Sequence, residues 1–179
     1  MTELALPSAT EFVQGPVIRR AGLDDVSAIA VFQTDCWREA YVDLVPAEYL
    51  QRVDPAARAI RWKQRIALAL RAVWVAHDGP VLRGVVSSAG DSEPLELASL
   101  YVDSASRGTG LSQLLLETAV GESSAFLWVF EDNARAHRFY TKFGFEPDGA
   151  REIDPDTGIG QIRLARPSWR LREVADDDS

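Results

Sequence analysis

The sequence predicts a single α/β domain of the α+β kind, and three observations point there. Residues 95–102, LELASLYV, have the apolar and aromatic content of a strand and run into a glycine-rich turn that opens an amphipathic helix. Residues 127–149 form a second strand-to-helix unit that closes on Gly144-Phe145. Upstream, two short apolar runs flank His77-Asp78-Gly79-Pro80, a turn composition that predicts a hairpin.

The elements follow in order. A first strand is expected over residues 17–20. Asp24 is placed to cap a helix whose apolar positions Val26, Ile29, Ala30, Cys36 and Trp37 keep a 3.6-residue period. Pro46 and Pro55 suit a first helical turn, so a short turn and a longer helix follow, the latter with Ile60, Ile66 and Leu70 on its apolar face. Strands at 73–76 and 81–87 form the hairpin, and 95–102 is next. Leu111, Leu114, Leu115 and Ala119 mark the buried face of the helix after the glycine loop, which Gly121 ends. A strand at 125–129, a helix at 133–142 and strands at about 145–153 and 161–165 complete seven strands and about four helices. Residues 1–15 lack periodicity and read as a loose arm, 16–169 as one domain, and 170–179 as an acidic tail.

Composition removes several function classes. A chain of 179 residues can bury one good core and is short for two. The net charge of −8 argues against a nucleic-acid partner, which needs a basic face. The longest apolar stretch, IALALRAVWVA, is broken by Arg71 and too short for a bilayer, and acidic Glu3 and Glu11 stand where a secretion signal is basic. No membrane association and a cytoplasmic location are expected. The one cysteine, Cys36, excludes an internal disulfide and reads as a small core hydrophobe. With two histidines, His77 and His137, no zinc centre and no other metal is expected. The chain fits a monomer or a homodimer.

A glycine-rich helix start seats anions, because its first N–H groups have no partner within the helix and its dipole is positive there. Spacing excludes two nucleotide motifs. A G-x-G-x-x-G run counted from Gly108 meets Gln113 where glycine is required, and no lysine follows any glycine, as a Walker loop demands. What stands is R-x-x-G-x-S, from Arg107 through Gly110 to Ser112. Together with Asn133, Ala136, Phe139, Tyr140, Gly144 and Phe145 in the second unit, it resembles the two signatures of the GCN5-related N-acetyltransferase superfamily, in that superfamily's order. The resemblance runs over residues 17–165.

That resemblance implies the acyl-CoA N-acyltransferase fold, a mixed and mostly antiparallel sheet of about seven strands that splays between the fourth and fifth. It implies acetyl-CoA, or coenzyme A, as co-substrate, with the pantetheine arm along Leu100, Tyr101 and Val102. An N–H near Leu100 would serve the developing oxyanion. The pyrophosphate would sit on Arg107, Gly108, Thr109, Gly110, Leu111 and Ser112. Ser112 departs from the usual Gly or Ala, and Ser104 from a common Pro. Tyr140 takes the place of the general acid that protonates the departing thiolate, although beside Phe139 it also fits a core aromatic. Asn133 fits both a pantetheine contact and a helix cap. Glu96 stands where relatives carry a strand Glu facing the acceptor and is the candidate base; alternation would group it with Ala98, Leu100 and Val102. Trp37 and Tyr41, a W-x-x-x-Y pair, resemble a bacterial subgroup related to polyamine acetyltransferases. With Tyr49 they would line the acceptor pocket, and aromatics at helical spacing also fit a core. The implied function is acetyl transfer to a primary amine of a small, polyamine-like molecule. A protein or peptide N-acetyltransferase and a catalytically silent acyl-CoA sensor or partner module are the alternatives.

Overall fold

Apolar runs of period two and amphipathic runs of period 3.6 alternate along the chain, and the elements appear in that order. They are β1 (Val17–Arg20), α1 (Val26–Ala40), α2 (Ala47–Arg52), α3 (Pro55–Ala67), β2 (Ala72–Asp78), β3 (Val81–Ala89) and β4 (Leu95–Val102), followed by α4 (Leu111–Val120), β5 (Ala125–Phe130), α5 (Ala134–Thr141), β6 (Glu146–Ile153) and β7 (Gly160–Arg166). The computed structural model describes residues 15–168. The tail expected at 170–179, and the arm at 1–15 apart from Gly15, lie outside the described residues.

The seven strands form one sheet in the order β1-β2-β3-β4-β5-β7-β6. Every neighbouring pair is antiparallel except β4 and β5, which run parallel. That parallel pair meets at two positions, Leu95 with Ala125 and Glu96 with Phe126, and then diverges. Strands β3 and β7 hold the outer edges of β4 and β5 in long registers, so the sheet opens from one end like a fork. The expected splay is therefore present.

Each face has its own core. On one side α4 and α5 pack over Leu97, Val102, Leu127, Val129, Phe145 and Leu164, with Phe139 and Tyr140 of α5 at the margin. On the other, Ile29, Ala30 and Trp62 of α1 and α3 cover Val73, Val75 and Val85. A smaller cluster of Val45, Leu50 and Phe130 joins α2 to the end of β5 and takes in Trp37, Tyr41 and Tyr49.

Three expectations need correction. Asp25, not Asp24, organises the start of α1: its carboxylate accepts from the Gly22 N–H at 2.8 Å and pairs with Arg19 at 2.7 Å. The inward face of α3 is Arg58 and Trp62, while Ile60 and Leu70 are exposed. The Trp62 ring decides the rotation, since its Nε1 donates to Gln33 Oε1 of α1 at 2.9 Å inside the core, and Leu70 lies beyond the helix end. On α4, Leu114 is exposed, and Leu116 and Val120 join Leu111, Leu115 and Ala119 in the core.

The approach of α4 to the sheet depends on Gly84 of β3. A Cβ there would lie 2.6 Å from Leu115 Cδ1 and 3.3 Å from the Tyr101 carbonyl oxygen, and Leu115 is fully buried with no room to yield. Gly84→Val is expected to destabilise the fold by roughly 1–3 kcal/mol, the cost of overpacking a tight core, read as a lower denaturant midpoint at unchanged slope.

Candidate active site

Where β4 and β5 part, their facing backbone edges have no strand between them. Buried N–H and C=O groups need partners, so a fork of this kind accepts either water or an extended ligand that adds itself as a strand. A cavity of about 680 Å³ fills the fork, lined by Glu96 to Val102 on one side and Leu127 to Phe130 on the other. Arg107, Ser112, Asn133, Tyr140, Trp37 and Tyr41 reach the same space.

The mouth next to α4 is built by glycine and by one aspartate. Gly108 and Gly110 adopt φ of +77° and +91°, a left-handed conformation in which any other residue is strained, and this brings the chain into the first turn of α4. Asp103, just past β4, holds the approach. Its carboxylate accepts from the Ser106 N–H at 2.9 Å and from Arg83 at 2.9 Å. Burial raises its pKa, but those bonds outweigh it and leave the carboxyl below its usual range. Thr109 turns inward: its N–H and hydroxyl both reach the Ser106 carbonyl, so Thr109 is a brace and its N–H is not free. The Leu111 N–H makes a long 3.5 Å contact with Thr109 Oγ1. Arg107, which lines the cavity, forms a 2.6 Å ion pair with Glu39 of α1, and its Nε is buried without a partner. Ser112 occupies the first turn of α4 and faces the cavity; its small side chain leaves the turn regular.

On the far side of the fork stands α5. Asn133 caps it, its Oδ1 accepting from the Ala136 N–H at 3.1 Å, and it also lines the cavity. Tyr140 packs edge-on against Phe139 and Phe145 at ring distances of 5.1 and 5.8 Å, a core aromatic that also borders the cavity. Burial, with a smaller effect of Tyr101, pushes its phenol well above the ordinary value.

Glu96 lines the cavity, but it does not share a face with Leu100 and Val102 as strict alternation would have it. Ser87 pairs with Ser99 and Ser88 with Leu97, which leaves Ala98 unpaired as a bulge in β4. The extra residue resets the alternation. Leu95, Leu97, Leu100 and Val102 all pack toward α4, and Glu96 falls instead with Ser99 and Tyr101 on the α1 and α3 side.

That second side is aromatic and basic. The Trp37 indole donates to the Tyr101 hydroxyl at 3.0 Å and stacks at an angle on Tyr41 at 4.5 Å and Tyr49 at 5.7 Å. Tyr41 is pushed well above its ordinary pKa by burial, so it faces the cavity as a neutral phenol. Cys36 is buried and pushed up to about 12 by desolvation, and its thiol points to the Val102 carbonyl; it is not a nucleophile. A side cavity of about 200 Å³ continues past Trp37, Ala98, Ser99 and Tyr101 to Arg58, Arg61, Arg65 and Arg71. Among the described residues no group of three or more His, Cys, Asp or Glu could hold a metal ion, and no helix is long and apolar enough to cross a membrane.

Sequence reasoning missed Asp103, Glu39 and the four arginines. The D-S-A-S run after β4 was a readable turn signal. The arginines carried none, since basic residues on and just past a helix ordinarily face solvent.

Comparison with known proteins agrees with this geometry. Residues 69–147 match the family model of the acetyltransferase (GNAT) domain. The uncharacterized N-acetyltransferase YuaI of Bacillus subtilis is 30% identical over 128 residues, 65% of this chain and 72% of its own length. The uncharacterized N-acetyltransferase Rv2669 of Mycobacterium tuberculosis is 30% identical over 60% of this chain and 74% of its own. Among solved structures, PaiA N-acetyltransferase from Thermoplasma acidophilum, in complex with coenzyme A, aligns with a TM-score of 0.68 at 16% identity, covering 87% of this chain and all of that one. With the forked sheet, the Gly110 helix start and these relatives in agreement, the chain belongs to the GCN5-related N-acetyltransferase (GNAT) superfamily, acyltransferases that use acetyl-CoA as co-substrate.

Proposed function

We propose that this chain transfers the acetyl group of acetyl-CoA to the primary amine of a small molecule. One observation supports the reading above others: the fork cavity passes through the sheet, with the glycine-built start of α4 on one side and a walled pocket on the other. The residues fit the donor. The unpaired edge at Leu100, Tyr101 and Val102 offers strand-like hydrogen bonds to a pantetheine amide. The helix start between Gly108 and Ser112, Thr109 excepted, offers N–H groups and a positive dipole to a pyrophosphate. Arg107, held by Glu39, adds a fixed positive charge beside it.

The walled side is what favours a small acceptor. Arg61 of α3 pairs with Asp156 in the turn between β6 and β7 at 3.7 Å, so the pocket is bridged where a polypeptide would need an open groove. The polyamine-like version rests on the Trp37 and Tyr41 likeness alone.

In the reaction the acceptor ammonium first gives one proton to a base, directly or through water, and Glu96 on the acceptor face is placed for it. The neutral nitrogen then forms a bond to the thioester carbonyl carbon. An N–H near Leu100 meets the charge that grows on the carbonyl oxygen. As the carbon–sulfur bond breaks, Tyr140 donates its proton to sulfur and is reprotonated by the proton the nitrogen releases. The sum is amide, free thiol and one proton to solvent. Burial raises the proton affinity of phenol and thiolate alike, so a high phenol pKa does not disable the acid.

Tyr140→Phe should lower kcat on the order of 100-fold or more, with acetyl-CoA affinity unchanged by calorimetry, as loss of a general acid does; an unaltered kcat removes the role. The acid works in its protonated form, and the upward shift carries that form to higher pH. Tyr140 should therefore impose no alkaline fall on kcat below about pH 10. Gly110→Val forces a branched residue into a left-handed backbone, costing roughly 1–2 kcal/mol or a shift of α4, and should weaken acetyl-CoA binding about 10-fold. Unchanged binding would sink the assignment of that loop. Tight acetyl-CoA binding with no thiol release from any amine would favour a silent sensor instead.

A further inference from the structure

The side cavity holds more positive charge than it can neutralise. Arg58, Arg61, Arg65 and Arg71 line it together with Asp154 and Asp156. The Arg61 guanidinium is taken by Asp156. Asp154 Oδ1 accepts from the Thr157 N–H at 2.7 Å and hydroxyl at 2.6 Å, which ties that oxygen to its own turn. Arg58, Arg65 and Arg71 form no ion pair among the described residues.

Arg58 is the most unusual of these. It is 7% exposed, its Nε is buried with no hydrogen-bond partner, and its guanidinium lies 5.1 Å from the Trp37 ring centroid. Arg65 lies two turns further along α3, its guanidinium 5.1 Å from the Trp62 ring, so both cations rest on aromatic faces, and both line the cavity. Burial and the neighbouring Arg71 and Arg61 lower Arg65 to about 10, the mark of crowded cations without a counter-ion. An uncompensated buried charge is costly, and a fold keeps one where something arrives to pair with it. Planar guanidinium forks match the oxygens of carboxylates and phosphates.

The cavity is continuous with the reaction space. Trp37, Ala98, Ser99, Tyr101 and Asp154 line both it and the fork. A molecule anchored among the arginines would therefore lie across the Tyr101 and Trp37 pair with its other end at β4, next to Glu96. Resting on the acetyl-transfer reading above, we propose that the acceptor is an amine that also carries an anionic group, a carboxylate or a phosphate. The anion docks among Arg58, Arg65 and Arg71, and the amino group points into the fork. A polycation such as a polyamine is the wrong charge for this pocket.

Matched pairs test it. Thiol release from acetyl-CoA is compared for L-phenylalanine against phenethylamine, for phosphoethanolamine against ethanolamine, and for spermidine. At least one anionic member should exceed its uncharged-tail partner about 100-fold in kcat/KM, and which pair responds separates carboxylate from phosphate. Arg65→Gln should remove about 10- to 100-fold of that preference, with little change for the partner amine and an unchanged KM for acetyl-CoA. Arg71→Gln serves the same purpose should the first variant fold poorly. Equal rates within both pairs, or preferred turnover of spermidine, overturn the proposal while leaving acetyl transfer intact. Calorimetry with L-phenylalanine and with phosphoethanolamine on the CoA-saturated protein covers the remaining case. Binding that Arg65→Gln abolishes, without turnover, upholds the anion pocket and rejects the acetyl-transfer reading, and no binding and no turnover rejects both.

Discussion

Two residue pairs, Leu95 with Ala125 and Glu96 with Phe126, hold β4 to β5, and the site lies where that pairing stops. A parallel pair could zip further only if β3 and β7 let their partners move. They do not, because each holds the outer edge of its strand over most of its length; β3 is anchored by Val86 in one core and Val85 in the other, and β7 by Leu164 in the first. The open fork is thus maintained by the rest of the sheet, at the cost of two unpaired backbone edges. Those edges are chemically equivalent to an unfilled strand position, which is why an extended amide-bearing arm suits them.

The fork also divides labour between the two faces. Helices α4 and α5 cover one face and bring the glycine-built helix start, Asn133 and Tyr140 to the cavity, the proposed donor side. Helices α1 and α3, with the residues just past their ends, sit on the other and bring Trp37, Tyr41 and the four arginines. Three contacts stitch the sides together at β4 and its loop: Trp37 to the Tyr101 hydroxyl, Cys36 to the Val102 carbonyl, and Glu39 to Arg107. All three come from α1. A shift of that helix would therefore reach the acceptor wall, the strand edge and the mouth of the loop together.

Much of this was legible in the sequence where backbone chemistry demands a residue type. The left-handed turns at Gly108 and Gly110, the Asn133 cap and the order of strands and helices could be read from spacing, because each answers a local requirement. The face of Glu96 could not. It depends on the Ala98 bulge, which exists only through pairing of Ser87 and Ser88 with another strand. The rotation of α3 was hidden for a similar reason, since it is set by the Trp62 to Gln33 bond across helices, and with it went the arginine pocket. Local rules reached the features on the α4 and α5 side, and tertiary contacts decided those on the α1 and α3 side. Ser112, off-pattern in the motif, proves structurally mild in the first turn of α4.

The central claim is that the fork receives the thioester arm, and a crystal structure of the protein with coenzyme A tests it most directly. The pantetheine should lie in hydrogen-bond register with Leu100, Tyr101 and Val102, the pyrophosphate on the N–H groups between Gly108 and Ser112 other than that of Thr109, and the sulfur within reach of the Tyr140 hydroxyl. Coenzyme A bound away from the fork, or β4 and β5 zipped together beyond Glu96, would contradict it.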